Sequence, residues 1–408
     1  MRLVFLALLV LVLATAAASA QTEILDELGQ QLRWSSAGGL AQLQVTGLFD
    51  IEGYRLDQQA PGLIFGGNDD FANPRLWLFL DGRLGDHLST FVELRADRGF
   101  DPREDSASVR FDEYRFRYTF FFEDARIALQ IGKFPTFFGN WVGRHDSWEN
   151  PLINAPLPYE NVTIVADRSA PTSPANFLTR RNSSDKKRQW LPIIWGPSYT
   201  SGAAMLGAWR QLEFEIELKN ASLASRPDEW DFRYRGWNHP TVTGRVGWKP
   251  EAAWQLGVSA SRGSYLLESA TSTLPAGKHI GDYPHTLFGA DAGYAWRHLQ
   301  VWGEFFASRF EVPNVEGCDA VAYYVESKYQ VAPQWYGALR WNQALFEKIS
   351  NGEGREITWD RNAWRIDTAI GYRFDRHVQY KLQYSLDRQS GYQQQGEQTV
   401  AMQLTFRF

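Results

Sequence analysis

A two-residue period of apolar side chains recurs along this chain from near residue 42 to its last residue, and few folds accept such a pattern. It is sharpest in the closing run "TVAMQLTFRF", where Phe408, Phe406, Leu404, Met402 and Val400 alternate with Arg407, Thr405, Gln403, Ala401 and Thr399. Successive side chains of a strand point to opposite faces, so this run is a strand with one apolar face. "LQVTGLFDI" repeats the pattern with Leu43, Val45, Phe49 and Ile51, and "RLWLFLDGRL" with Leu76, Leu78, Leu80 and Leu84. "LSTFVELRA" does so with Leu88, Val92, Leu94 and Ala96. "YRFRYTF" sets Tyr114, Phe116, Tyr118 and Phe120 against Arg115, Arg117 and Thr119. "LEFEIELK" sets Leu212, Phe214, Ile216 and Leu218 against Glu213, Glu215, Glu217 and Lys219. Charges this regular on the second face of so many strands mean that one face meets oil and the other water.

Roughly 16 such segments can be traced, each near the 9–11 residues that a tilted strand needs to cross a bilayer. Their connectors alternate in length. Segments 42–55 and 75–84 are joined by a long polar stretch, and "GDH" then leads at once into 88–97. A loop at 98–108 precedes 109–120, and "FED" turns into 125–134. The very long stretch 135–198 comes next, and the rhythm continues through short turns at 210–211, 249–252, 297–298, 332–333 and 375–376. The expected fold is therefore all-β: a transmembrane antiparallel β-barrel of about 16 strands with short periplasmic turns and long external loops. After residue 20 no apolar stretch reaches the length of about 20 residues that a membrane helix needs. Aromatic residues make up 15% of the chain, with 17 Trp and 17 Tyr. Trp248, Trp254, Trp296, Trp335, Phe374 and Phe408 fall at apolar-face positions beside short turns, where rings form an interfacial girdle.

The first 20 residues, "MRLVFLALLVLVLATAAASA", combine Arg2, an apolar run and a small-residue ending at Ala18, Ser19 and Ala20. This is the pattern of a secretory signal peptide cut after Ala20. Residues 21–40, with Ile24, Leu25, Leu28 and Leu32 at helical spacing, are expected to be a short periplasmic lead-in to a barrel over 41–408. Removal of Arg2 takes 42 basic residues to 41 against 47 acidic ones, a net charge of −6. That mild acidity speaks against a nucleic-acid partner. Cysteine occurs once, as Cys318, so no intrachain disulfide can form.

A terminal Phe preceded by alternating apolar residues, here Phe406 and Phe408, resembles the C-terminal strand of Gram-negative outer-membrane proteins. The resemblance implies recognition by the barrel-assembly machinery and residence in an outer membrane, against lipid and lipopolysaccharide. The segment "QIGKFPTFFGNWVGRHDSWENPLINAPLPYEN", residues 130–161, is similar to the strand-to-loop passage of the phosphate-selective porin family. That likeness implies a passive channel for small hydrophilic solutes or anions, assembled as a homotrimer, with the loop after the fifth strand folded back into the barrel.

A barrel of about 16 strands leaves an aqueous lumen, whose inward side chains and constriction set selectivity. By parity the inward face carries Arg75, Arg83, Arg95, Arg115, Arg117, Arg126, Arg245, Lys249, Lys328, Arg340, Arg365, Arg373 and Lys381. The inward acids include Asp50, Glu52, Asp81, Glu93, Asp97, Glu113, Glu304, Glu326, Asp367 and Asp387. Most of these are expected to be cross-strand pairs of modest energy. Their distribution is uneven, however, with Arg75, Arg95, Arg115, Arg117 and Arg126 on 75–134 and Glu213, Glu215 and Glu217 stacked on 212–220. Opposed rows of this kind would set a transverse field across the pore, and guanidinium groups could hand on an anion through bidentate contacts.

The 135–198 connector is far longer than structureless loops normally are, which points to a function. It is the expected pore constriction, with Arg144 facing the wall formed by Arg75, Arg95, Arg115 and Arg117. Its later part, "TRRNSSDKKRQW", carries Arg180, Arg181, Lys186, Lys187 and Arg188. That cluster either concentrates anions at the mouth or is a solvated loop tip against lipopolysaccharide phosphates. The row His145, Asp146 and Ser147 is not a triad, since triads are assembled in space. No metal-ligand spacing or phosphate-cradling glycine loop occurs, so neither cofactor, metal nor enzymatic activity is expected. Two other readings stay open: a plugged structural or adhesive barrel, and a barrel enzyme.

Overall fold

The computed structural model describes residues 24–57, 63, 70–100, 107–182, 190–390 and 397–408. The leader over 1–20 and the residues Lys186, Lys187 and Arg188 lie outside them. Residues 24–31 form a helix, α1. The short strand β1 (Arg33–Ser35) then pairs with the start of β2 (Ala41–Leu56). The barrel continues through β3 (Phe71–Leu84), β4 (Leu88–Asp97), β5 (Ser108–Phe121) and β6 (Ala125–Phe134). The long connector follows, with its own short strands β7 (Val162–Ala166) and β8 (Trp190–Pro192) and the helix α2 (Pro174–Thr179) between them. The wall resumes with β9 (Thr200–Trp209), β10 (Leu212–Lys219), β11 (Thr241–Trp248), β12 (Trp254–Ser264), β13 (Pro284–Trp296) and β14 (Leu299–Phe310). After β15 (Cys318–Gln330) and β16 (Trp335–Phe346) comes a loop hairpin of β17 (Lys348–Ser350) and β18 (Glu356–Thr358). The wall ends with β19 (Ala363–Arg373), β20 (Val378–Gln389) and β21 (Glu397–Arg407).

Every wall strand pairs antiparallel with its neighbours, and β21 returns to pair with β2. The result is a closed barrel of 16 strands, as the alternating pattern predicts. Closure leaves no unpaired strand edge, which is what makes a sheet tolerable in hydrocarbon. The seam is completed by the last residue, since Phe408 N donates to Gly47 O at 3.1 Å and Gly47 N to Phe408 O at 3.1 Å. The element bounds differ from those read in the sequence by a residue or two, except at β3. There pairing begins at Phe71, because Pro74 sits opposite Ile51 without ending the ladder.

The apolar set faces outward on every strand. Phe116 is 59% exposed, Ile131 63% and Val258 60%, figures that only an apolar surrounding makes favourable. Trp209, Trp248, Trp254, Trp296 and Trp335 are exposed beside the short turns, as a girdle requires. Leu404 also points outward, but it lies between its register partners Ile51 and Tyr380 and is only 7% exposed.

One local departure from strict alternation matters for the interior. A register shift between Glu93 and Leu94 leaves Asp112 as an extra residue on β5, so that Asp112 and Glu113 are both buried inside. A bulge of this kind re-aims a side chain, and here it brings Asp112 to 3.3 Å from Arg95.

Candidate functional site

The interior is not a wide aqueous lumen, because the connector after β6 crosses it and is tied to wall strands from β10 round to β20. Glu217 on β10 accepts from the Thr136 hydroxyl at 3.0 Å and from the Phe137 N–H at 2.6 Å. Glu304 on β14 accepts from the Trp141 N–H at 2.7 Å, from the Asn140 N–H, and from the Tyr159 hydroxyl at 2.6 Å. Lys381 on β20 donates to the carbonyls of Ser147 at 2.6 Å and Asn150 at 2.7 Å. Arg340 on β16 donates to the carbonyl of Asn154, and Arg365 on β19 to the carbonyl of Ala155 and the carboxylate of Glu160. Burial lifts the Glu160 carboxyl above its ordinary value despite the Arg365 guanidinium beside it. These are the inward charges that sequence parity finds, but many of them satisfy backbone groups of a non-helical strand of chain, which at membrane depth is tolerated only inside protein.

Toward the long-loop end the connector is packed into a continuous apolar cluster. Phe138, Trp141, Tyr159, Ile164, Trp195 and Tyr199 meet Phe306, Phe310 and Tyr324 of the wall and Trp230, Tyr265 and Trp359 of other loops. The interior is thus crossed by the connector rather than open along its whole width. The long connector's aromatics supply a core of the kind that soluble domains build.

Among the selectivity candidates, Arg75 is paired with Asp50 and Glu52. Arg95 is buried against Asp97 at 2.8 Å and Asp112, with Trp77 and Phe100 stacked on its guanidinium. Arg115 is paired with Glu113 at 2.8 Å. Arg117 instead gives Nε and Nη2 to the neutral Gln130 Oε1, at 2.9 and 2.6 Å. Among the described residues Arg83, Arg117 and Arg126 have no carboxylate at ion-pair distance. The row Glu213, Glu215 and Glu217 is not a free acidic ladder: Glu213 pairs with Lys249, Glu215 with Arg245, and Glu217 holds the connector. Arg144 does not face the basic wall. It reaches Glu326 on β15 at 2.5 Å and lies over the Trp302 ring, on the opposite side. Arg180 is folded over Phe177 within the connector rather than standing free at a mouth, and burial lowers its pKa.

Two cavities remain beside the β2–β6 wall. A cavity of about 150 Å³ lies between part of the connector and β2, β3 and β4, with Glu52, Arg75, Trp77, Arg95, Trp141, Asn154 and Glu160 among its lining. A larger one of about 800 Å³ opens at the short-turn end, lined by Gln42, Asp81, Arg83, Ser89, Arg115 and Arg117. This second cavity collects three guanidinium groups and the carboxylates of Asp81 and Asp86; Arg115 is ion-paired, to Glu113, while among the described residues Arg83 and Arg117 have no carboxylate at ion-pair distance.

His145 donates Nδ1–H to the Val142 carbonyl at 2.6 Å, and its Nε2 is bonded to the Tyr199 hydroxyl at 2.7 Å. Loss of solvation lowers its pKa to about 4, with Asp146 pulling the other way. Asp146 caps the N–H groups of Trp148 and Glu149. The neighbours in the row His145, Asp146 and Ser147 therefore look in different directions. Among the described residues no group of three His, Cys, Asp or Glu could hold a metal ion.

The geometry is that of a closed 16-strand antiparallel barrel, and solved outer-membrane barrels share that fold. OmpT, an outer membrane protein of Vibrio cholerae, superposes with a TM-score of 0.55 at 9% identity, over 92% of this chain and 99% of that one. An anion-selective porin from Comamonas acidovorans gives 0.54 at 9% identity, over 90% and 100%. The outer membrane channel DcaP of Acinetobacter baumannii gives 0.53 at 9% identity, over 92% and 99%. At such identities the likeness concerns the fold. No family model matches the chain. No curated protein matches it either.

Proposed function

We propose that the protein is a porin of a Gram-negative outer membrane, passing small hydrophilic solutes by diffusion between the inward-folded connector and the β2–β6 wall. The observation that carries this reading is the 800 Å³ cavity lined by Arg83 and Arg117, two guanidinium groups without a carboxylate partner among the described residues. Charge uncompensated in a passage of low dielectric acts strongly on a passing ion, so the channel prefers anions, phosphate among them, despite its net charge of −6. The short turns and α1 then lie in the periplasm and the long loops outside. The reading includes export with cleavage after Ala20, insertion by the barrel-assembly machinery, contact with lipopolysaccharide, assembly as a homotrimer and no catalytic role.

Reversal potentials of the purified protein in planar bilayers test it. Stepwise conductance with anion preference supports the reading, and cation preference removes the selectivity argument. The apolar cluster at the long-loop end favours one other reading, a plugged barrel, for which the same experiment returns no conductance.

A further inference from the structure

The small cavity under the connector is lined by an unusual set of unpaired polar atoms. Trp77 Nε1, Trp141 Nε1, Arg75 Nε, Arg95 Nε and Nη1, Asn73 Oδ1 and both side-chain atoms of Asn154 are buried without a hydrogen-bond partner, and all six residues line this cavity of about 150 Å³. Native proteins leave few buried polar groups unpaired, and a concentration of them in one place calls for an occupant. Both ends of the Asn154 amide are unpaired, so either orientation of that group leaves a donor and an acceptor waiting.

The occupant must both donate and accept, since the set mixes N–H donors with amide oxygens. A hydroxyl does both, whereas an anion only accepts and would be repelled by the two amide oxygens. Most formal charges on the lining are moreover already matched. Arg75 is held by Asp50 and Glu52, Arg95 by Asp97 and Asp112, and Glu160 by Arg365. The remaining lining is aromatic, with Tyr54, Phe71, Phe100 and Tyr159 beside the two indoles. An aromatic face carries partial negative charge and suits the C–H faces of a sugar ring. A cavity of this volume takes one six-membered ring.

We propose that this cavity is a subsite for a neutral polyhydroxylated solute, a single sugar ring whose hydroxyls pair with Asn73, Asn154 and the two indole N–H groups. The site deepens the channel reading, resting on it for the solute's passage but not for its binding. The largely charge-matched constriction would then recognise hydroxyls, while Arg83 and Arg117 of the larger cavity act on ions.

The test uses the full-length protein and D-glucose. Glucose is expected to reduce single-channel current in a saturable way. Asn154→Leu removes both unpaired atoms while its main chain stays on Arg340 and Gln383, and should weaken the block roughly tenfold, the loss of one to two hydrogen bonds. Trp141→Phe deletes one N–H and keeps a ring, with a smaller loss expected. Current insensitive to glucose, or block equal in the wild type and both variants, overturns the subsite and leaves the channel standing. Calorimetric titration of the folded barrel with glucose reads binding without conductance: saturable heat lost in Asn154→Leu keeps the site even if no channel forms. Its absence in the wild type shows that the cavity holds water only and overturns the site.

Discussion

Tyr159 donates its hydroxyl to Glu304 Oε2 at 2.6 Å, joining the long connector to a wall strand 145 residues further along the chain. The other carboxylate oxygen takes the N–H groups of Asn140 and Trp141, so one side chain of β14 closes three bonds of the strap. Glu304→Ala leaves two backbone donors and a phenol unpaired in the interior. Single-channel conductance is expected to rise and become noisier, with the heat-modifiable barrel intact. Conductance equal to the wild type's, in size and noise, would show that the strap does not restrict the passage.

Lys381 holds the same connector by three carbonyls, those of Ser147, Asn150 and Leu152. Lys381→Met keeps much of the volume and removes the donors, at about 1–3 kcal/mol for each buried carbonyl left unpaired. Local opening should follow before global unfolding. Limited proteolysis of the folded barrel is expected to cut near residues 147–152 in the variant and spare the wild type.

His145 makes docking of the connector sensitive to acid. Its pKa falls from 6.5 to about 4 in the folded protein, chiefly through lost solvation. An undocked connector would therefore take up a proton that the docked one refuses, so docking weakens as pH falls from 6.5 toward 4 and is constant above that window. Current fluctuations should grow over that interval and be steady between pH 7 and 8. His145→Gln cannot titrate and should flatten the profile; an unchanged acid response in that variant would assign it to another group.

Arg117 is the guanidinium best placed to set ion preference, bound to Gln130 rather than to an acid. Arg117→Ala should move the reversal potential toward cations at both 0.1 M and 1 M salt. Replacing Lys186, Lys187 and Arg188 by Ser should act only at the lower concentration, because the screening length falls from about 10 Å to about 3 Å. Equal effects of the two variants at 1 M would refute the separation.

Gly47 leaves room for the terminal ring that closes the barrel. A Cβ at this position would lie 2.5 Å from the Phe408 ring and 2.8 Å from the Trp77 carbonyl oxygen. Gly47→Leu and deletion of Phe408 are both expected to lower the amount of heat-modifiable barrel without altering synthesis. Wild-type amounts in both would separate the terminal ring from assembly.

The inward and outward faces could be read from the chain because their cause is local: a strand alternates its side chains, and one face meets an apolar surrounding. Lys381, Glu304 and Arg340 were accordingly placed inside from parity alone. What they touch could not be read. Gln403 illustrates the limit, since its inward position suggests water, yet it is 1% exposed and donates to Glu52 on β2. Arg144 was assigned to the basic wall because both belong to the expected constriction, but Glu326 on the opposite side supplies a matched charge. Asp112 breaks parity through a bulge that no residue type in "RFDEYRF" announces.

By itself the sequence determined the closed barrel, its outward apolar belt and its alternating turns and loops. These follow from hydrophobic period and connector length, which act over a few residues at a time. Only the tertiary structure decided that the lumen is strapped, that the acidic row is engaged, and that among the described residues Arg83, Arg117 and Arg126 have no carboxylate at ion-pair distance. Those outcomes rest on pairings between side chains far apart along the chain, such as Tyr159 with Glu304. Their energy depends on distance and desolvation in the closed interior rather than on any periodicity of the residues themselves.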